Sequence, residues 1–163
     1  MTLRGAALLA GLAAATAATA GPLDGRSYII ELTSSQYGSG YGEYLVPPLA
    51  AALAGAGLRP ARQGAADLVV NIVTASNHGR WMGTGAGRAW IHRVTVMVGI
   101  SPAAHVIPAD GTPAFGVRAR LLTPDPDRAD ELDCLIRLTA RTAVANYRPA
   151  GLFETDGTAC LRR

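Results

Sequence analysis

The chain has no lysine: all fifteen basic residues are arginine, against twelve acidic ones. With abundant Ala and Gly, this bias is that of a GC-rich coding sequence, and no mechanism follows from it. Net charge is also scarce. The formal value of +3 falls to +2 if Arg4 is removed with a leader, too little for a dedicated nucleic-acid binder unless the arginines gather on one face. Cysteines number two, with no C-x-x-C and no Cys/His cluster, which argues against a metal centre. His78, His92 and His105 lie in three separate segments without metal-ligand spacing. No G-x-S-x-G elbow is present, and the two cysteines can pair with each other, so nothing marks a nucleophile. No cofactor motif is found. The turn Gly38-Ser39-Gly40-Tyr41-Gly42 reads G-x-G-x-G rather than G-x-G-x-x-G, prolines interrupt the helix behind it, and no acidic residue follows at ribose-binding distance.

Long apolar runs are missing as well. The longest is the alanine-rich stretch from Ala6 to Ala20, fifteen residues, too short and too weakly apolar to span about 30 Å of hydrocarbon. Preceded by Arg4 and closed by Ala18-Thr19-Ala20, it has the layout of a signal peptide cut after Ala20. No cysteine adjoins the cut, so the lipid-bearing residue of a lipoprotein is missing. The expected product is residues 21–163, one domain with a C-terminal tail, periplasmic or secreted and not stably inserted in a membrane. In such a compartment Cys134 and Cys160 are expected to form a disulfide. Closing a separation of 26 residues stabilises a fold by about 3 kcal/mol.

What is present reads as α+β. Ser27 to Thr33 is rich in β-branched and aromatic residues and predicts a strand. Glu43 to Ala56 predicts a helix that either begins near Pro47 or bends there, because proline is tolerated only in a first turn. Leu58 to Arg62 has room for a short extra strand. Asp67 to Ala75, Ala89 to Ile100 and Ala114 to Leu122 alternate as strands of an antiparallel meander. The last helix follows Pro124-Asp125-Pro126-Asp127, with Asp caps, and runs to about Tyr147 before Pro149-Ala150-Gly151. The order β-α-β-β-β-α implies a mainly antiparallel sheet of about four strands, with two helices on one face.

Three stretches, Ala66-Asp67-Leu68-Val69-Val70, Phe115-Gly116-Val117-Arg118-Ala119-Arg120 and Asn146-Tyr147-Arg148-Pro149, resemble the small envelope domains of unknown function often found in bacterial lipoproteins. The resemblance covers residues 27 to 149 and implies a cell-envelope location and this element order, with no chemistry to carry over. The chain departs from the pattern in lacking a lipobox cysteine and in having a cysteine pair.

Candidate binding residues come from two features. The glycine-rich link from Asn77 to Trp90 joins two strands and carries Arg80, Trp81, Met82 and Arg88, the mixture of aromatic, apolar and cationic groups that recognition surfaces favour. Its plainer reading is a hairpin loop with Trp81 folded back on the sheet edge. Second, Arg93, Arg118 and Arg120 have the strand parity that points away from the core. A hairpin around residues 101 to 113 would place Arg93 opposite Arg120 and Thr95 opposite Arg118. The carboxylates Asp125, Asp127, Asp130, Glu131 and Asp133 fall at a helix start, where they complement the macrodipole without catalysis. The combined expectation is a non-enzymatic accessory or binding module whose partner is an envelope protein or an anionic envelope polymer. A small periplasmic hydrolase without a recognisable motif and a structural subunit of an envelope complex are the alternatives.

Overall fold

The structure is a computed structural model that describes residues 21–32, 42–105 and 112–162. The expected export signal, its cut after Ala20 and the turn from Gly38 to Tyr41 lie outside the described residues. In chain order the elements are β1 (Ser27–Leu32), α1 (Gly42–Gly55), β2 (Arg59–Pro60), β3 (Leu68–Ser76), β4 (Arg80–Met82), β5 (Ala89–Pro102), β6 (Phe115–Thr123), α2 (Ala129–Ala145) and β7 (Gly151–Asp156). Short 3-10 turns occur at Gly85–Gly87 and Thr158–Cys160.

The strands form one sheet in the order β2-β1-β3-β5-β6-β7, with β4 continuing along β5 beyond the end of β3. The expected antiparallel trio is there, β3 with β5 and β5 with β6. Two expectations are corrected. The sheet has seven strands rather than about four, and it is mixed, because β1 runs parallel to both β2 and β3, and β6 runs parallel to β7. The strand that the sequence hides best is β7, expected as tail. It lies at the sheet edge with half its residues polar and only Phe153 and Thr155 partly buried, so it lacks the alternating apolar signal of a core strand.

The core lies on one side of this sheet. Val70 and Ile72 of β3, Val96, Val98 and Ile100 of β5, and Phe115, Val117 and Ala119 of β6 alternate toward the helices and are fully buried. Leu45, Leu49 and Leu53 of α1 meet them at helical spacing, as do Leu135, Ile136, Ala140 and Ala143 of α2, all in a single cluster. Each of the Val, Leu, Ile and Phe side chains contributes about 1.5–3 kcal/mol on burial, the alanines less. Both helices therefore cover the same face, as the sequence predicts. α1 runs through Pro47 and Pro48 instead of starting there. The prolines sit in its first two turns, so the carbonyls left without amide partners are those of Glu43 and Tyr44, both exposed.

The start of α2 differs from expectation in its chemistry. Its N-cap position is Arg128, with no side-chain cap bond. Asp125 and Asp130 instead accept nearby backbone amides, from Asp127 N at 3.1 Å and Glu131 N at 3.0 Å. Glu131 is buried, and its Oε1 accepts from Arg128 Nη1 and from the Arg162 amide, each at 2.9 Å, so the first turn of α2 holds the chain end. The Cys134–Cys160 disulfide, with Cα atoms 5.5 Å apart, ties the same helix to the turn after β7. Among the described residues no helix is long and apolar enough to cross a membrane.

Candidate functional site

Because side chains alternate across a strand, the face opposite the helices carries Val73 and Ala75 from β3, Arg93, Thr95 and Met97 from β5, and Arg118 and Arg120 from β6. Parity places these arginines on the uncovered face, and the structure agrees. The register does not. Thr95 pairs with Arg120, Met97 with Arg118 and Arg93 with Leu122, two residues away from the expected pairing. The pairing runs to Ile100 opposite Phe115. An even shift leaves every side chain on its own face, which is why the face was legible and the neighbours were not.

One end of this face is filled. A Cβ added at Gly99 would meet Asn71 Oδ1 and, at 2.5 and 2.6 Å, the ring of Pro113, so the segment after residue 111 lies over the sheet there. At the other end the face stays open as a shallow depression of about 410 Å³, floored by Val73, Ala75, Thr95 and Met97 and rimmed by Arg93, Arg118 and Arg120.

Glu154 of β7 enters the same rim. Parallel pairing sets it beside Arg118, and its Oε1 accepts from Arg120 Nη2 at 2.7 Å and Arg118 Nη1 at 3.4 Å. The carboxylate is half exposed, so each pair contributes about 0–1 kcal/mol, but it fixes two guanidinium groups beside each other that would otherwise repel. Among the described residues Arg93 has no carboxylate partner.

The hairpin formed by β3, β4 and β5 is built by one asparagine. Ser76 pairs with Val94 and Arg80 with Ile91, so residues 77–79 oppose only His92 and Arg93, a bulge of one residue. Asn77 Oδ1 accepts from Arg93 N at 2.6 Å and Gly79 N at 3.3 Å, while its carbonyl lies 3.1 Å from His92 Nδ1. Gly79 has φ +78°, and its missing side chain leaves the space that the Trp90 indole fills. Opposite Trp90 stands Trp81, edge to face at a centroid distance of 5.4 Å, with the Arg88 guanidinium 4.8 Å above its ring. The pair is 55% and 42% exposed, with each ring covering part of the other on the hairpin.

Paired residues on neighbouring strands share a face. Trp81 and Trp90, with Arg88, therefore lie on the helix side of the hairpin, beyond the helices. Arg80, paired with Ile91, and Met82, paired with Ala89, lie on the side of Arg93. The structure thus divides the seven candidate residues into two surfaces. Sequence reasoning missed Glu154, hidden in an edge strand, and the exposure of Trp90, whose inward parity means burial only where a helix covers it.

A larger groove of about 760 Å³ separates the first turns of α1 and α2, lined by Glu43, Tyr44, Pro47, Pro126, Asp127 and Leu132 among others. Asp130 and Asp133 at its side are paired with Arg162 and Arg137. Glu43 and Asp127 have no partner for their side chains among the described residues. Elsewhere, Asp67 is held below the usual carboxylate range by the amide and hydroxyl of Ser27, and Asp156 by the hydroxyl and amide of Thr158. Among the described residues no cluster of His, Cys, Asp or Glu could hold a metal ion.

No protein-family model matches the chain, and no curated protein matches it. Among solved structures it is similar to a minor lipoprotein from Acinetobacter baumannii, with 14% sequence identity and a TM-score of 0.40, over 73% of this chain and 86% of that one. A likeness this loose carries nothing about function.

Proposed function

We propose that the chain is an exported, non-enzymatic accessory or binding module of the cell envelope, whose open sheet face takes an acidic partner, either an envelope protein or an anionic envelope polymer. The observation that carries this reading is the rim of Arg93, Arg118 and Arg120 around a mainly apolar floor that no helix covers among the described residues. A carboxylate or phosphate reaching Arg93 gains a charge-assisted bond with a cation that has no carboxylate partner among the described residues, while apolar groups beside it lose water on Val73 and Met97. Export is supported by the leader-like residues 1–20 and by the Cys134–Cys160 disulfide, which persists in oxidising compartments.

The test compares retention on isolated envelope of the protein and of a variant with Arg93→Gln, Arg118→Gln and Arg120→Gln. Retention of the unmodified protein falls between low and moderate salt, because exposed charges are screened beyond about 10 Å at 0.1 M. The variant, folded normally by circular dichroism, is retained less and without salt dependence. Equal retention of both, insensitive to salt, would overturn the reading.

A further inference from the structure

The depression on the uncovered sheet face and the groove between the helix starts lie on opposite sides of the molecule, and the residues lining them carry opposite charge. Three guanidinium groups rim the sheet-face depression, and Glu154 pairs with two of them, Arg118 and Arg120, while Asp156 and Glu31 lie on the same face outside the depression. On the helix layer four carboxylates, Glu43, Asp127, Asp130 and Asp133, have only Arg162 and Arg137 as partners. The lining of each depression therefore has a surplus of its own sign, and among the described residues the lining groups with no side-chain partner are Arg93 in one and Glu43 and Asp127 in the other, while Glu31 on the sheet face and Arg141 on α2 lie outside these linings.

Their shapes correspond too. Tyr44 stands out at the rim of the helix groove with 68% of its surface exposed, the most exposed large apolar residue of the described chain. Across the molecule, the shallow depression floored by Val73, Ala75, Thr95 and Met97 offers a volume of about 410 Å³. The helices cover one face of this mixed sheet, and among the described residues the arginine end of the other face is left open.

We propose that the acidic partner of the open face is the helix layer of a second copy of this chain, with Tyr44 seated on the apolar floor and Glu43 and Asp127 against Arg93 and its neighbours. This inference rests on the reading of the open face as a site for acidic surfaces. The contact is heterologous: each copy uses a different surface from its neighbour, so both remain available at the ends and copies add in series. The sheet of one copy is then covered by the helices of the next.

Two variants separate the surfaces. The first carries Arg93→Gln, Arg118→Gln and Arg120→Gln and keeps its helix layer. The second carries Glu43→Gln, Tyr44→Ala and Asp127→Asn and keeps its sheet face. Sedimentation at low salt is expected to show the exported protein growing in mass with concentration without reaching a fixed stoichiometry, and dissociating at high salt. Each variant alone remains a monomer, and an equimolar mixture of the two stops at a heterodimer, because only one intact pair of surfaces is left. A wild-type protein that stays monomeric across concentration at low salt overturns the inference, as does association that persists in either variant alone. Retention on a polyglutamate resin distinguishes the two failures. If a monomeric protein is retained through Arg93, the open face still binds acidic surfaces and only the second copy is wrong, whereas no retention removes both readings.

Discussion

The two faces of the sheet are built from the same strands, one residue apart, and they have opposite fates. On β5, Val94, Val96, Val98 and Ile100 are buried, while Arg93, Thr95 and Met97 between them line an open depression. Apolar character alone does not explain the contrast, since Val73 and Met97 are apolar and lie on the open side. What differs is cover. Leu49, Leu53, Leu135 and Ile136 remove water from one face, and nothing among the described residues does so over the arginine half of the other. A strand position thus becomes core or surface by what packs on it, and Trp90, inward by parity but 42% exposed past the helices, shows the same rule within one strand.

The comparison breaks most easily at the covered face. Phe115→Ala empties a fully buried site between β5, Tyr147 and Phe153 and is expected to cost about 3–5 kcal/mol in chemical denaturation. A loss below about 1 kcal/mol would mean that this side is not the core.

The helix layer is sharpened next. Replacing both Cys134 and Cys160 by Ser releases α2 from the turn after β7 and is expected to lower stability by about 3 kcal/mol, read as a fall in denaturation midpoint. Full stability in the double variant would show that the Arg128, Glu131 and Arg162 contacts hold the chain end by themselves.

At the hairpin, Gly79→Ala sets a methyl group against the Trp90 indole at a positive φ, a strain of roughly 1–3 kcal/mol. Much of it is expected to be relieved by displacing Trp90, so tryptophan fluorescence shifts while global stability changes less. An unchanged emission spectrum would contradict the seating of Trp90 against residue 79.

Acid titration tests the pairing of β1 with the start of β3. Folding lowers the pKa of Asp67 and Asp156, so the unfolded chain takes up protons first as pH falls. Their stabilisation is complete above the ordinary carboxylate value of 3.8 and is lost as pH drops below it through the folded-state values. Asp67→Asn is expected to flatten that acid limb, and an identical limb in the variant would remove Ser27 as the cause. The smallest effect belongs to the open face: Arg93→Gln should change stability by no more than about 0.5 kcal/mol, while salt-dependent retention on envelope falls. A large destabilisation would place Arg93 in the fold rather than in a site.

Much of the covered face is legible in the amino-acid sequence, because alternation in β3, β5 and β6 and the periodicity of α2 are local signals that burial requires. The candidate site is legible only in part. Parity puts Arg93, Arg118 and Arg120 on one surface, but the charge that balances two of them comes from Glu154, thirty-four residues beyond Arg120 and in a strand with no apolar pattern. Likewise Asp125, Asp127 and Asp130 sit at a helix start as expected, yet none caps it, since the N-cap position falls on Arg128.

By itself the sequence determined the α+β class, the three antiparallel strands, the face to which each of their residues points, and the disulfide, for two cysteines leave no other pairing within one chain. Tertiary structure alone decided the register of β5 with β6, the parallel strands at both edges, the pairing of Glu154 with Arg118 and Arg120, and the division of the hairpin into a tryptophan side and an arginine side. The reason is physical. Side-chain direction repeats every two residues along one strand and can be read there, whereas register and partners depend on where distant segments close against each other, which no single segment encodes.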